Sequence, residues 1–157
     1  MKILYICTHN RCRSILAEAI TNQLAQGRII AMSAGSHPAQ QVHPLTLKSL
    51  QEKGFNIQYL ISKSLDDFKK ERPDIVITVC DRAVNEPCPV WLGDSLKLHW
   101  GLPDPSCING SEEEIRDAFY SVIETIKYRV KKMLVLDLEQ LSVTELQTAL
   151  EPLAEEN

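Results

Sequence analysis

A thiol and a guanidinium with five residues between them stand near the start of the chain: Cys7 begins and Arg13 ends the run Cys7-Thr8-His9-Asn10-Arg11-Cys12-Arg13. A tight loop of this length between a strand and a helix turns successive backbone N–H groups toward one point, at the positive end of the helix dipole. That point suits a tetrahedral oxyanion. Thr8, His9, Asn10, Arg11 and Cys12 would form the cradle, and the Arg13 fork would hold two of the oxygens. The same donors favour the thiolate form of Cys7, and the hydroxyl of Ser14 follows directly, placed to hydrogen-bond the sulfur. The chemistry is attack by sulfur on a bound oxyanion. Taken alone, the spacing also fits a buried strand-end cysteine with two solvated arginines, because such a pattern arises by chance. What separates the two is whether a strand precedes and a helix follows.

Both are present. Ile3-Leu4-Tyr5-Ile6 is an apolar run of strand length, and Ser14-Ile15-Leu16-Ala17-Glu18-Ala19-Ile20 has a helical pattern. Predicted strands over 2–6, 28–33 and 73–79 alternate with helices over 14–25 and 44–53 and a short polar helix over 65–70. A fourth strand is expected near 96–99 and a long helix from 112 to about 131. This rhythm predicts an α/β fold of three layers, a small four-stranded parallel sheet with helices on both faces and the anion loop after the first strand. Pro44 in a first turn, Gly54 behind the helix it opens and Ser111 before Glu112-Glu113-Glu114 supply start and stop signals. Residues 1–135 read as one catalytic domain and 136–157 as a C-terminal helical tail. Leu138, Leu141, Leu146, Leu150 and Leu153 of the tail would pack, bind a partner or fray.

Composition narrows the function classes. The 157 residues carry a net charge of −4, whereas general nucleic-acid binders and anionic-membrane binders need a basic face. Any anion site must therefore be local. No segment has the uninterrupted apolar length of a bilayer span, so a cytoplasmic location is the expectation, and the chain is expected to be a monomer. Five cysteines, without paired CxxC motifs, favour neither a disulfide framework nor a structural zinc site. His37 and His43, each before a proline, read as loop and helix-entry residues, and no metal site is expected.

Two further groups could act with Cys7. Cys80 follows the strand-like Ile75-Val76-Ile77-Thr78-Val79, and Cys88 lies in the turn-rich Asn85-Glu86-Pro87-Cys88-Pro89. Strand ends of a parallel sheet line one crevice, so Cys80 should share an edge with Cys7. Either thiol could simply pack or face solvent, but thiols at neighbouring strand ends also suit redox exchange. Asp104, held between Pro103 and Pro105 in the loop after His99-Trp100-Gly101, could protonate a leaving oxygen if that loop folds over the anion site. Otherwise it is a turn aspartate.

Taken together, Cys7 to Ser14, Ser33-Ala34-Gly35, Cys80, Cys88 and His99-Trp100-Gly101-Leu102-Pro103-Asp104-Pro105 resemble the arsenate reductases built on the low-molecular-weight protein tyrosine phosphatase fold, over residues 1–131. The phosphate-type loop and the Asp-Pro are shared with phosphatases of that fold. His9 in place of a loop glycine, and Ser106 in place of an aromatic after Asp-Pro, lean toward the reductases.

The resemblance implies that Cys7 forms a covalent adduct with arsenate while Arg13 holds its oxygens and Asp104 acts as the acid. It implies that Cys80 then resolves the adduct and Cys88 carries the disulfide outward to thioredoxin, with no bound organic cofactor. Relatives that use glutathione and glutaredoxin leave the reductant open, as does a Cys80–Cys88 separation one residue longer than the thioredoxin-coupled pattern. Asn10, Glu18 and Ser33 match positions that surround potassium in some relatives, and Lys63 falls close to where another ligand would lie, so that its ammonium could fill the cation's place and no tight potassium site is expected. Cys107 reads as an incidental loop thiol. Phosphomonoester hydrolysis by Cys7, Arg13 and Asp104, and a non-catalytic anion-binding module, stand as the other function classes.

Overall fold

Ile3, Leu4, Tyr5 and Ile6 are all buried, a condition that a strand meets only in a sheet covered on both faces. They form β1 (Lys2–Cys7), the second of four strands. The computed structural model describes residues 1–86 and 89–156. In these, β2 (Ile30–Gly35), β3 (Ile75–Thr78) and β4 (Leu96–His99) complete a parallel sheet in the order β2-β1-β3-β4. The helices are α1 (Arg13–Ala25), α2 (Pro44–Glu52), α3 (Asp81–Val84), α4 (Glu112–Leu134) and α5 (Val143–Leu150), with 3-10 turns at Leu65–Phe68, Val90–Leu92, Pro105–Cys107 and Glu151–Glu155. The expected small parallel α/β sheet is what the chain adopts.

Register places the chemistry. Ile6 pairs with Ala34 on one side and Thr78 on the other, and Thr78 pairs with His99. The residues leaving the C-terminal ends of β1, β3 and β4 therefore emerge along one edge. Tyr5 hydrogen-bonds Thr21 of α1 at 2.9 Å, so α1 returns across the face that carries Tyr5, and it packs there against α4 and α2.

Three elements differ from expectation. The second strand runs over Ile30–Gly35 rather than 28–33, because Gln26 and Gly27 both have positive φ and Arg28 is still in the turn, its N–H on the Ala25 carbonyl. The third strand is confined to Ile75–Thr78 within the expected 73–79, the extent of its ladder to β4. α3 starts directly after Cys80, over residues to which the sequence pattern assigned no element. The long helix reaches Leu134, opened by a capping box between Ser111 and Glu114. Ser142 and Glu145 form the same box for α5. Leu146, Leu150 and Leu153 of the tail are buried, and the Trp100 indole donates to the Leu150 carbonyl at 3.0 Å. No helix among the described residues is long and apolar enough to cross a membrane.

Candidate active site

The loop between β1 and α1 is built around Asn10, which is fully buried with φ of 44°, a left-handed conformation that asparagine tolerates. Its amide orientation follows from its partners. The Lys63 backbone N–H can only donate and lies 2.6 Å from Oδ1, so Nδ2 is the atom that faces Ser14 Oγ at 2.8 Å and Ser33 Oγ at 2.9 Å. Ser14 thus accepts from Asn10 and keeps its own proton for Cys7, whose Sγ lies 2.8 Å away. The Asn10 backbone N–H also points at Sγ, at 3.2 Å. Two hydrogen-bonding groups, the Ser14 hydroxyl and the Asn10 N–H, thus converge on the sulfur. Ser33 in turn donates to the Glu18 carboxylate, which the Lys63 ammonium meets at 2.8 Å. The Lys63 ammonium thus meets the same carboxylate oxygen to which Ser33 donates.

Gly35 at the end of β2 is what lets the loop fold down. A Cβ there would lie 2.7 Å from the Thr8 carbonyl oxygen and 3.0 Å from Asn10 N. Cys12 caps α1 with no side-chain hydrogen bond, and the first turn of that helix has no acidic residue. The N–H groups at the start of α1 are thus not claimed by a capping side chain, as an anion cradle requires. Burial pushes the Cys12 thiol up to about 12 despite its bond to Thr46, so Cys12 is a neutral thiol at physiological pH. His9 stands outward, its Nδ1–H donating to the His37 carbonyl at 3.0 Å.

Arg13 and Asp104 come together across 91 residues of sequence. One Arg13 nitrogen donates to Asp104 Oδ2 and another to the Leu102 carbonyl, each at 3.1 Å. Ser106 donates to Asp104 Oδ1 through both its N–H, at 3.0 Å, and its hydroxyl, at 2.6 Å, and Arg11 reaches the same hydroxyl at 3.1 Å. Burial alone would raise the Asp104 carboxyl. The Ser106 bonds and the Arg13 charge outweigh it and hold Asp104 below the usual carboxylate range. Asp104 paired with Arg13 is therefore a carboxylate at neutral pH.

Cys7, Cys12, Arg13, Cys80, Asp104 and Cys107 line one cavity of about 630 Å³, along with Thr8, His9 and Arg11. Cys80 is buried, and its Sγ lies 3.7 Å from the Thr8 hydroxyl. Cys88 lies outside the described residues. Cys107 is exposed on the cavity wall. Ala39, Asp81 and Arg82 line the cavity too and went unread in the sequence. For Asp81 and Arg82 a signal was available, since both directly follow the strand-end Cys80. The His99 ring ties this point to β4, with Nδ1 2.8 Å from Thr78 Oγ1 and Nε2 3.3 Å from Asp81 Oδ1. Among the described residues no group of three or more His, Cys, Asp or Glu is arranged to hold a metal ion.

Set against known proteins, the chain matches the family described as low molecular weight phosphotyrosine protein phosphatase over residues 2–148. It is 31% identical over 133 residues to the glutaredoxin arsenate reductase of a Synechocystis species, covering 85% of this chain and 95% of that one. It is 32% identical over 129 residues to an arsenate reductase of Halalkalibacterium halodurans, covering 82% and 91%. Among solved structures it is similar to a thioredoxin-dependent arsenate reductase of Corynebacterium glutamicum, with a TM-score of 0.67 and 32% identity, covering 88% of this chain and 63% of that one.

Proposed function

The chain belongs to the low molecular weight phosphotyrosine protein phosphatase family, and from that premise we propose that it reduces arsenate to arsenite through a relay of thiols. The observation that carries this reading is the position of Cys80, whose thiol lines the same cavity as Cys7 and approaches the hydroxyl of the residue after it. Hydrolysis of a phosphomonoester has no use for a second thiol there. Reduction requires one.

In the proposed sequence, the Cys7 thiolate attacks arsenic while the loop N–H groups and Arg13 hold the oxyanion. An S–As bond forms, an As–O bond breaks, and Asp104 supplies the proton with which the oxygen leaves as water. Asp104 is ionised when paired with Arg13. A doubly charged oxyanion draws the guanidinium to itself, and its own charge favours the protonated acid beside it. Cys80 then attacks Cys7 Sγ. An S–S bond forms, the S–As bond breaks, and its electron pair stays on arsenic, which departs as arsenite. Cys88 attacks Cys80 Sγ, freeing Cys7 and leaving a Cys80–Cys88 disulfide for an external dithiol of the thioredoxin type. Each exchange needs Cα atoms within about 7 Å, so the last step requires Cys80 and Cys88 to come that close.

A second reading, phosphomonoester hydrolysis with Cys7, Arg13 and Asp104, needs only the Arg13–Asp104 pair beside the first thiol, and that pair serves both reactions alike. NADPH-coupled arsenate turnover separates them, run with thioredoxin and its reductase and, in parallel, with glutathione and glutaredoxin. Turnover that is lost in Cys80→Ser supports the relay, and dependence on Cys88 assigns the reductant to thioredoxin. Turnover with glutathione alone keeps the reaction and removes Cys88 from it. Hydrolysis of p-nitrophenyl phosphate with no arsenate turnover would make the protein a phosphatase.

A further inference from the structure

The Thr8 hydroxyl has one proton and two claimants. Glu86 Oε1 lies 3.3 Å away in a geometry that makes Thr8 the donor, and Cys80 Sγ lies 3.7 Å away. A carboxylate can only accept. With the Thr8 proton committed to Glu86, the remaining role of the Thr8 oxygen toward Cys80 is to accept an S–H. The contacts are mutually consistent when Cys80 is protonated. They are not when it is a thiolate, for then two anions would compete for one proton.

We propose that Glu86 is a positioning residue that withholds the Thr8 hydroxyl from Cys80 and so keeps the second thiol inert until the site is occupied. The proposal rests on the thiol-relay reading of this site. A resting Cys80 thiolate beside Cys7 would be prone to pair with it whenever a two-electron oxidant such as a peroxide or a small disulfide arrived before the substrate, and the resulting disulfide would consume the nucleophile. An oxyanion held by the loop adds negative charge next to Thr8 and repels Glu86. Once Glu86 withdraws, the Thr8 O–H turns to Cys80 and stabilises the thiolate that attacks Cys7.

The charged and titratable groups that line the cavity with Thr8 and Cys80 are Cys7, His9, Arg11, Cys12, Arg13, Asp81, Arg82, Asp104 and Cys107, with His99 behind Asp81, and Glu86 itself lines the neighbouring cavity with Lys97, His99 and Glu151. Glu86 is set apart from these by its bond to Thr8, which makes a double-mutant cycle decisive. In a full-length chain whose sole cysteine is Cys80, the rate of Cys80 alkylation by iodoacetamide is followed against pH for the parent, Glu86→Gln, Thr8→Val and the double variant. Glu86→Gln should raise the rate at pH 7 about tenfold, the equivalent of a one-unit acid shift of the profile. With Val at position 8 the same change should have almost no effect. An equal acceleration in the Thr8→Val chain would mean that Glu86 acts by its charge alone, and no acceleration in either background would mean that it does not restrain Cys80. Both would overturn the proposal.

A second measurement covers the case in which the four-cysteine replacement does not fold. With the native cysteines in place and no oxyanion, oxidised dithiothreitol should close a Cys7–Cys80 disulfide several-fold faster in Glu86→Gln than in the unaltered protein. Equal rates would overturn the proposal. Neither experiment uses arsenate, so failure of arsenate turnover counts against the function and leaves these outcomes standing.

Discussion

The Arg13 guanidinium and the Asp104 carboxylate meet at 3.1 Å on the wall of the cavity that holds Cys7. The group expected to bind the oxyanion and the group expected to protonate it are thus tied together before substrate arrives. Asp104 is held below the ordinary carboxylate range, so its pairing stabilises the fold fully above the unfolded value of about 4 and ceases to do so as the pH falls through the lower folded value. Asp104→Asn should therefore be less stable than the parent at pH 7, and the gap should close on acidification below pH 4. Urea unfolding across that range checks it, and a gap that widened toward acid would contradict the pairing.

The thiols of the cavity should differ sharply in reactivity. Cys107 is exposed, and Cys12 is buried with its thiol pushed up to about 12. Peptide mapping after brief iodoacetamide treatment at pH 8 should find Cys107 modified and Cys12 untouched. Raising the pH to 10 should leave Cys12 intact as long as the protein stays folded.

Lys63 places its ammonium on Glu18, which also accepts from Ser33. Removing one partner from a buried ion pair typically costs about 3–5 kcal/mol because the other charge is stranded. Lys63→Met should lower the melting temperature accordingly. Potassium, by occupying the place of the ammonium, should restore part of the loss when choline chloride is exchanged for potassium chloride, while the parent should show no such difference.

Arg129 is a buried guanidinium whose hydrogen bonds to the described residues go to backbone carbonyls, those of Ala154 and Glu156 in the tail and Gly101 in the loop that leads to Asp104. Trp100 of the same loop donates to Leu150. A chain ending at Ala149 would leave both donors without these tail partners, at a cost of at least about 2 kcal/mol. Its oxyanion turnover should fall together with its stability. Unchanged unfolding on truncation would show that the tail is not part of the supporting structure.

The strand, loop and helix around Cys7 are legible in the sequence because each is a local pattern, an apolar run, a turn and a helical period in immediate succession. The parallel sheet follows from the alternation of such segments. Less legible is whatever depends on which strands become neighbours. That Thr8 meets Glu86, or Arg13 meets Asp104, requires β3 to lie beside β1 and the loop after β4 to turn inward, and no period in the sequence encodes that. The start of β2 was misplaced for a local reason, since Gln26 adopts a left-handed conformation that asparagine or glycine signals more clearly. α3 has four residues, too few to display a helical period.

The central claim is that oxidation passes from arsenate to Cys80 by way of Cys7, and one turnover without reductant tests it most directly. Fully reduced Cys88→Ser protein is mixed with one equivalent of arsenate, quenched in acid, and analysed for arsenite and for disulfide-linked peptides. The account predicts arsenite in proportion to protein and a Cys7–Cys80 disulfide in the same amount. Unreduced arsenate with all thiols free, or arsenite formed with Cys80 still alkylatable, would contradict it.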